Sequence, residues 1–140
     1  MFFNLRGFIK WAGLAILCIG LFACTSNRNA ENVHYAKDDR QTLDIYTPQS
    51  NEGEKHPVLI YLHGGGWTSG DKSRAASKPA FFTDNGYVFV SVNYRLHPDV
   101  QYDEMADDAA KAVKWVMDHA DEYQIDPSKI NVMGHSAGGH

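Results

Sequence analysis

Residues 130–139, Ile-Asn-Val-Met-Gly-His-Ser-Ala-Gly-Gly, are the most informative part of the sequence about the fold. A short β-prone run, residues 130–133, leads directly into Gly-x-Ser-x-Gly, the pattern of a nucleophile held on a sharp turn between a strand and a helix. Such a turn needs small neighbours on either side of the serine, which Gly134 and Gly138 supply. Ser136 is therefore the candidate nucleophile, and the amide of Ala137, at a helix start, favours developing negative charge. The alternative is a glycine-rich turn with a solvated serine.

A second glycine-rich segment, His63-Gly64-Gly65-Gly66-Trp67, follows a predicted buried strand at residues 57–62. Three successive residues without Cβ let backbone amides point into a site, and such a loop can donate two N–H bonds to an oxyanion. Taken alone, the segment is more typical of a flexible loop. It is not a phosphate-binding loop, because Asp71 interrupts the Walker A spacing before Lys72. Together the two segments favour one site, because both lie at the same edge of a parallel sheet.

The body of the chain alternates predicted strands and helices. An antiparallel hairpin is expected over residues 33–36 and 42–46, where two β-prone runs flank a polar turn. Three buried strands are expected at residues 57–62, 87–94 and 130–133, and two helices at residues 73–82 and 103–123. This order predicts an α/β fold, with a mostly parallel sheet, helices on both faces and an antiparallel edge hairpin.

The composition is that of an ordinary globular domain. The 140 residues are 44% apolar and 21% charged, and one domain is expected. Thirteen basic and seventeen acidic residues give a net charge of −4, which argues against a nucleic-acid partner. Both cysteines, Cys18 and Cys24, belong to the leader region. The rest of the chain is therefore predicted to have neither a disulfide nor a thiolate metal site.

The N-terminus has the pattern of an export signal. Arg6 and Lys10 precede thirteen uncharged residues, 11–23, a length typical of a signal peptide and too short to span a bilayer. Residues 21–24, Leu-Phe-Ala-Cys, resemble the bacterial lipobox, in which the cysteine is diacylated. A plain secretory leader or an uncleaved anchor is the alternative. We expect a lipoprotein signal peptide at residues 1–23, a lipidated Cys24 at the membrane surface of the bacterial cell envelope, a tether at residues 24–32 and a domain at residues 33–140.

Three motifs occur in a fixed order: residues 63–67, Asn93-Tyr94-Arg95-Leu96 and residues 134–139. They resemble the N-terminal half of the α/β-hydrolase fold, in its hormone-sensitive-lipase-like and BD-FAE-type carboxylesterase branches, and the likeness runs from about residue 43 to residue 140. The resemblance implies that the protein uses neither a metal nor an organic cofactor. It also implies that Ser136 is the acylated nucleophile and that the amides of Gly65, Gly66 and Ala137 form the oxyanion hole.

The acid and the base of a catalytic triad are not predicted within this chain. In this fold the acid and then the histidine follow the nucleophile, and only four residues follow Ser136. His63, His135 and His140 are more typical of loop packing or exposure than of a general base. We therefore expect a truncated form of a longer hydrolase, inactive alone. Its last strand, left at the edge of the sheet, would make the isolated chain prone to aggregate.

The predicted function is that of a serine esterase, which hydrolyses carboxylic esters through an acyl-enzyme. Small-molecule or carbohydrate esters are the expected substrates, with acylated polysaccharides as one class. One alternative is a non-catalytic hydrolase remnant or binding module, which the missing acid and base permit. Another is an exported serine peptidase of the prolyl-oligopeptidase type, which shares the Gly-x-Ser-x-Gly-Gly motif. The His-Gly-Gly-Gly-Trp loop is more typical of esterases and favours the esterase prediction.

Overall fold

A computed structural model describes residues 27–140 of the chain. The predicted signal peptide, Cys24 and the first residues of the predicted tether lie outside the described residues, so export and lipidation stay predictions. No helix in the described part of the chain has both the length and the apolar character that crossing a membrane requires.

Five strands form one mixed sheet in the spatial order β1-β2-β4-β3-β5. The strands are β1 (Ala30–His34), β2 (Thr42–Tyr46), β3 (His56–Leu62), β4 (Val88–Val92) and β5 (Ile125–Gly134). β1 and β2 form the predicted antiparallel hairpin, and β2 also pairs antiparallel with β4. β3 lies between β4 and β5 and is parallel to both. The predicted edge hairpin and the parallel part of the sheet are confirmed.

Two helices, α1 (Lys78–Asp84) and α2 (Tyr102–Asp118), cover opposite faces of the sheet. Successive side chains of a strand point to opposite faces, so that each central strand contributes to two packing layers. On one face, Ile60 of β3 packs in the same cluster as Val116 of α2. On the other face, the ring of Phe89 in β4 stacks on that of Phe82 in α1, with 5.6 Å between the centroids. The predicted helices on both faces are confirmed.

The helix expected over residues 73–82 is interrupted in the structure. A single 3-10 turn, Lys72–Ala75, is followed by Ala76 with a φ of 55°, and α1 then begins at Lys78. Pro79 explains where α1 begins, because proline fits the first turn of a helix and breaks the interior of a longer one. The prediction of one continuous helix is therefore wrong.

The ends of several other elements also differ from those predicted. β4 spans Val88–Val92 rather than residues 87–94, and β5 begins at Ile125 rather than residue 130, because Ile125 already pairs with His56 of β3 before a register shift. β1 spans Ala30–His34 rather than residues 33–36, so residues 30–32, which are predicted as tether, belong to the strand. α2 ends at Asp118 rather than at residue 123. The apolar periodicity continues beyond the helix because Ala120 and Tyr123 are buried in the turns that follow it. Burial in the same core, rather than helical structure, accounts for these two positions.

Candidate active site

Ser136 is exposed and lies on the sharp turn that follows β5. Its φ of 51° is in the left-handed region, which costs a residue with a side chain about 1–2 kcal/mol. The backbone is so crowded here that a Cβ at Gly134 would collide with the carbonyl group of Gly138. A Cβ at Gly138 would collide with the carbonyl oxygens of Leu62 and His63. Both glycines of the motif are thus required by the close approach of the backbone.

The nucleophile turn, residues 134–139, and the glycine loop, residues 63–70, meet at the carboxyl end of β3. Leu62, the last residue of β3, pairs with Gly134, and its carbonyl oxygen accepts a 3.0 Å hydrogen bond from the amide of His135. A Cβ at Gly64 would stand 3.0 Å from the Cβ of Ser136. The structure therefore brings the candidate nucleophile and the glycine loop together.

The glycine loop turns tightly after Gly64. The Gly65 carbonyl oxygen accepts hydrogen bonds from the amides of the two residues 68 and 69, at 3.3 and 3.1 Å. Gly65 and Gly66 have φ values of 144° and 61°, which favour glycine. No backbone group within residues 27–140 accepts a hydrogen bond from the amides of these two glycines. The amide of Ala137 also lacks an intrahelical partner, because it lies in the first turn of a helical segment. None of the three predicted donors therefore has a backbone acceptor within residues 27–140.

His63 fixes the start of the glycine loop from within the core. It is buried, its ring stacks on that of Tyr94 with 4.6 Å between the centroids, and its Nδ1 lies 2.9 Å from the Gly64 carbonyl oxygen. The Tyr94 hydroxyl donates a 2.6 Å hydrogen bond to the His63 carbonyl oxygen. Burial lowers the pKa of His63, so the ring is neutral at pH 7. A neutral ring that donates from Nδ1 to Gly64 supports the loop backbone.

The candidate nucleophile has no paired base among the described residues. Within residues 27–140, the ring hydrogen bonds of histidines go to the backbone carbonyl oxygens of Gly64, Gly86 and Trp115, and none goes to the Ser136 hydroxyl. His135 and His140 are exposed, and the His140 ring packs edge-on against Trp67 at 5.5 Å. The same part of the chain contains no group of three or more His, Cys, Asp or Glu side chains that could hold a metal ion. The described residues therefore bring together a candidate nucleophile and candidate oxyanion donors, without a base paired to the Ser136 hydroxyl.

A mainly apolar cleft of about 540 Å³ opens beside the nucleophile turn. Its lining includes Ala137 and Gly138 of the nucleophile turn, Trp67 of the glycine loop, and Met105 and Ala109 of α2. An apolar group bound in this cleft would lie next to one of the three candidate oxyanion donors.

The geometry agrees with a comparison against known families. The model of the BD-FAE family matches residues 43–140, which include the glycine loop and the nucleophile turn. The chain belongs to the BD-FAE family. The predicted α/β-hydrolase carboxylesterase family is thereby confirmed.

Two relatives of this BD-FAE chain illustrate the likeness. Carboxylesterase NlhH of Mycobacterium tuberculosis is 42% identical over 86 residues, which cover 60% of this chain and 27% of NlhH. The probable isoprenylcysteine alpha-carbonyl methylesterase ICMEL1 of Arabidopsis thaliana is 30% identical over 122 residues, which cover 87% of this chain and 25% of the relative. The chain therefore spans about a quarter of the length of these relatives.

Solved structures of esterases share the fold of this BD-FAE chain. The esterase Est2 of Thermogutta terrifontis matches with a TM-score of 0.71 and 31% identity, over 81% of this chain and 41% of Est2. A truncated carbohydrate esterase from gut microbiota matches with a TM-score of 0.70 and 28% identity, over 79% of this chain and 40% of that one. All four of these proteins are esterases, which favours the esterase prediction over the peptidase alternative.

The structure also gives a role to Arg95 of this BD-FAE chain. The sequence motif at residues 93–96 includes this arginine but does not show what it does. Its guanidinium donates hydrogen bonds of 2.8 Å to both carboxylate oxygens of Asp108, and its amide donates a third at 3.1 Å. Gln41 donates a fourth at 2.6 Å. Burial would raise the pKa of Asp108, but these hydrogen bonds hold it below the ordinary value. The pair joins α2 to the segment that carries Tyr94.

Asp108 could have been found from the sequence. It lies three residues after Met105 and four before Ala112, on the apolar face of the predicted helix. An acidic residue on the buried face of a helix predicts a buried partner, because an unpaired charge there is costly. That signal predicts the ion pair without naming Arg95.

Proposed function

We propose that the whole protein that carries this chain is a serine carboxylesterase. The observation that supports the proposal is the position of Ser136, in a left-handed turn directly against the glycine loop. Within the described residues, the amides of Gly65 and Gly66 in that loop have no backbone acceptor. Donors fixed in this way stabilise the charge that develops on a carbonyl oxygen under attack. The names of the relatives add that ester hydrolysis occurs on this scaffold.

The proposed reaction proceeds through an acyl-enzyme. The Ser136 hydroxyl attacks the ester carbonyl, its proton passes to a general base, and the oxyanion accepts hydrogen bonds from Gly65, Gly66 and Ala137. The tetrahedral intermediate then expels the alcohol, which leaves with that proton. Water attacks the acyl-serine in the same way and releases the carboxylic acid. The fold predicts that the base and its acid come from chain that follows Ser136 in the whole protein.

We propose small carboxylic esters, including acyl groups on carbohydrates, as the substrate class. The support is the carbohydrate esterase among the structural neighbours and the apolar cleft beside Ala137. Acylated polysaccharides fit the predicted location, because a protein anchored by a lipid on Cys24 would meet polymers outside the cell.

The test is hydrolysis of p-nitrophenyl acetate by the whole protein and by Ser136→Ala. We expect Ser136→Ala to be inactive with an unchanged circular dichroism spectrum, and Ser128→Ala, an exposed serine in β5, to keep full activity. A fluorophosphonate should label the wild-type protein at Ser136, as located by mass spectrometry. Activity retained by Ser136→Ala would remove this residue from the mechanism. If the wild-type protein neither hydrolyses the ester nor is labelled by the fluorophosphonate, the result favours the non-catalytic alternative.

A further inference from the structure

Arg40 lies in the turn between β1 and β2, outside both the glycine loop and the nucleophile turn, and is half-buried. Its Nε donates a 3.1 Å hydrogen bond to the carbonyl oxygen of Tyr94, and its Nη2 donates a 3.0 Å hydrogen bond to that of Gly70. Tyr94 follows β4, and Gly70 ends the glycine loop that follows β3. One planar guanidinium therefore joins the segments that leave two neighbouring strands at the same edge of the sheet.

Both residues that Arg40 contacts pack against the start of the glycine loop. A Cβ at Gly70 would collide with the Gly64 carbonyl oxygen and with the His63 ring, so Gly70 lies directly against both. From the other side, Tyr94 stacks on His63 and donates to its carbonyl oxygen. Gly64 in turn lies against the candidate nucleophile. A displacement of Gly70 or Tyr94 would therefore reach the backbone beside the reacting atoms.

We propose that Arg40 is a positioning residue, which holds the amides of Gly65 and Gly66 in place by bonding to both sides of the base of the glycine loop. The proposal rests on the proposed esterase function. Without the guanidinium two carbonyl groups lose their donors, and the loop amides are free to shift. Misplacing a catalytic group by about 1 Å can cost on the order of 10² in rate.

The test compares Arg40→Ala and Arg40→Lys with the control Lys37→Ala in the whole protein. Lys37 is an exposed cation on the same turn, so its loss changes the charge without changing either contact of Arg40. For p-nitrophenyl acetate, Arg40→Ala should lower kcat about 10- to 100-fold and change KM by less than about twofold. Arg40→Lys should recover only part of kcat. The ammonium keeps the charge and can donate hydrogen bonds, but it lacks the fixed fork of a guanidinium. Added methylguanidine should raise kcat of Arg40→Ala and leave Lys37→Ala unaffected.

Hydrogen exchange gives a second readout, which is independent of activity. Peptides covering residues 63–70 should exchange faster in Arg40→Ala than in the wild type or in Lys37→Ala. If Arg40→Ala does not fold, Arg40→Lys carries the same comparison. An unchanged kcat, or a lower kcat without faster exchange in the loop, overturns the proposal. If the wild-type protein hydrolyses no ester, the esterase function fails, while faster loop exchange supports the positioning role and unchanged exchange overturns it.

Discussion

Replacing Asp108 by asparagine should destabilise the protein far more than the same replacement at Asp107, its neighbour on α2. Asp108 is fully buried, and its carboxylate accepts three hydrogen bonds from Arg95 and one from Gln41. Asp107 is exposed and pairs with Lys111 one turn along the helix. The two variants make the same chemical change at adjacent positions of one helix, so burial and pairing are what distinguish them.

The expected loss follows from the burial of the pair. Removing one partner of a buried ion pair costs about 3–5 kcal/mol. The lower end applies to Asp108→Asn, because the Arg95 side chain is 22% exposed and water can reach it. We therefore expect the free energy of unfolding to fall by about 3 kcal/mol. An exposed pair one helical turn apart contributes about 0.3–0.5 kcal/mol, and Asp107→Asn should cost no more than that.

Urea denaturation of both variants at pH 7, followed by tryptophan fluorescence, measures the difference. Although burial raises the pKa of Asp108, its hydrogen bonds with Arg95 and Gln41 hold it below the ordinary value of 3.8. A carboxyl whose pKa is lower in the folded state stabilises the protein fully above its unfolded pKa, and this contribution is lost as the pH falls through the folded pKa. The gap between wild type and Asp108→Asn should therefore shrink only below about pH 4.

Equal and small losses for the two variants at pH 7 would refute this reasoning, because the buried pair would then contribute no more than a surface pair. A gap between wild type and Asp108→Asn that widens as the pH falls below 3.8 would contradict the direction of the pKa shift.

Three further predictions concern the nucleophile turn and the leader. Gly138→Ala places a Cβ against two backbone carbonyls, so we expect this variant to fold poorly. In the control Gly139→Ala the nearest contact of the Cβ is 3.2 Å, and this variant should fold. A thermal melt compares the two, and similar melting would contradict the packing argument. Ser136→Gly should be more stable to urea than Ser136→Ala by about 1 kcal/mol, because glycine tolerates the positive φ, and equal stability would show that the turn relaxes. Labelling with radioactive palmitate should disappear in Cys24→Ser, and unchanged labelling would reject the lipid anchor.

The strands and the two glycine motifs could be predicted because their signals are local. The apolar run at residues 57–62 reads directly as β3, and the glycines around Ser136 follow from the sharpness of a strand-to-helix turn. The order of elements then places both motifs at one edge of a parallel sheet. The meeting of Gly64 with Ser136 in the structure follows from that order.

Other features depend on contacts between distant parts of the chain. Arg40 contacts carbonyl groups 54 and 30 residues away, and no local pattern marks a turn arginine for that role. The apolar spacing extends the predicted α2 beyond its observed end at Asp118. Ala120 and Tyr123 keep that spacing, although they pack in the core outside the helix. The spacing of apolar residues indicates which positions are buried. Only the tertiary structure shows whether those positions are in a helix or in the turns that follow it.

β3 supports both halves of the proposed chemistry. The glycine loop begins directly after Leu62, the last residue of β3. The carbonyl oxygen of Leu62 also accepts a hydrogen bond from the amide of His135, the residue before Ser136. The end of β3 therefore positions both the glycine loop and the nucleophile turn. Substitutions in the walls of the cleft that leave β3 intact should keep the loop amides and Ser136 aligned with each other. Deleting a single residue within β3 would have the opposite effect, because it would shift both parts against the neighbouring strands in one step.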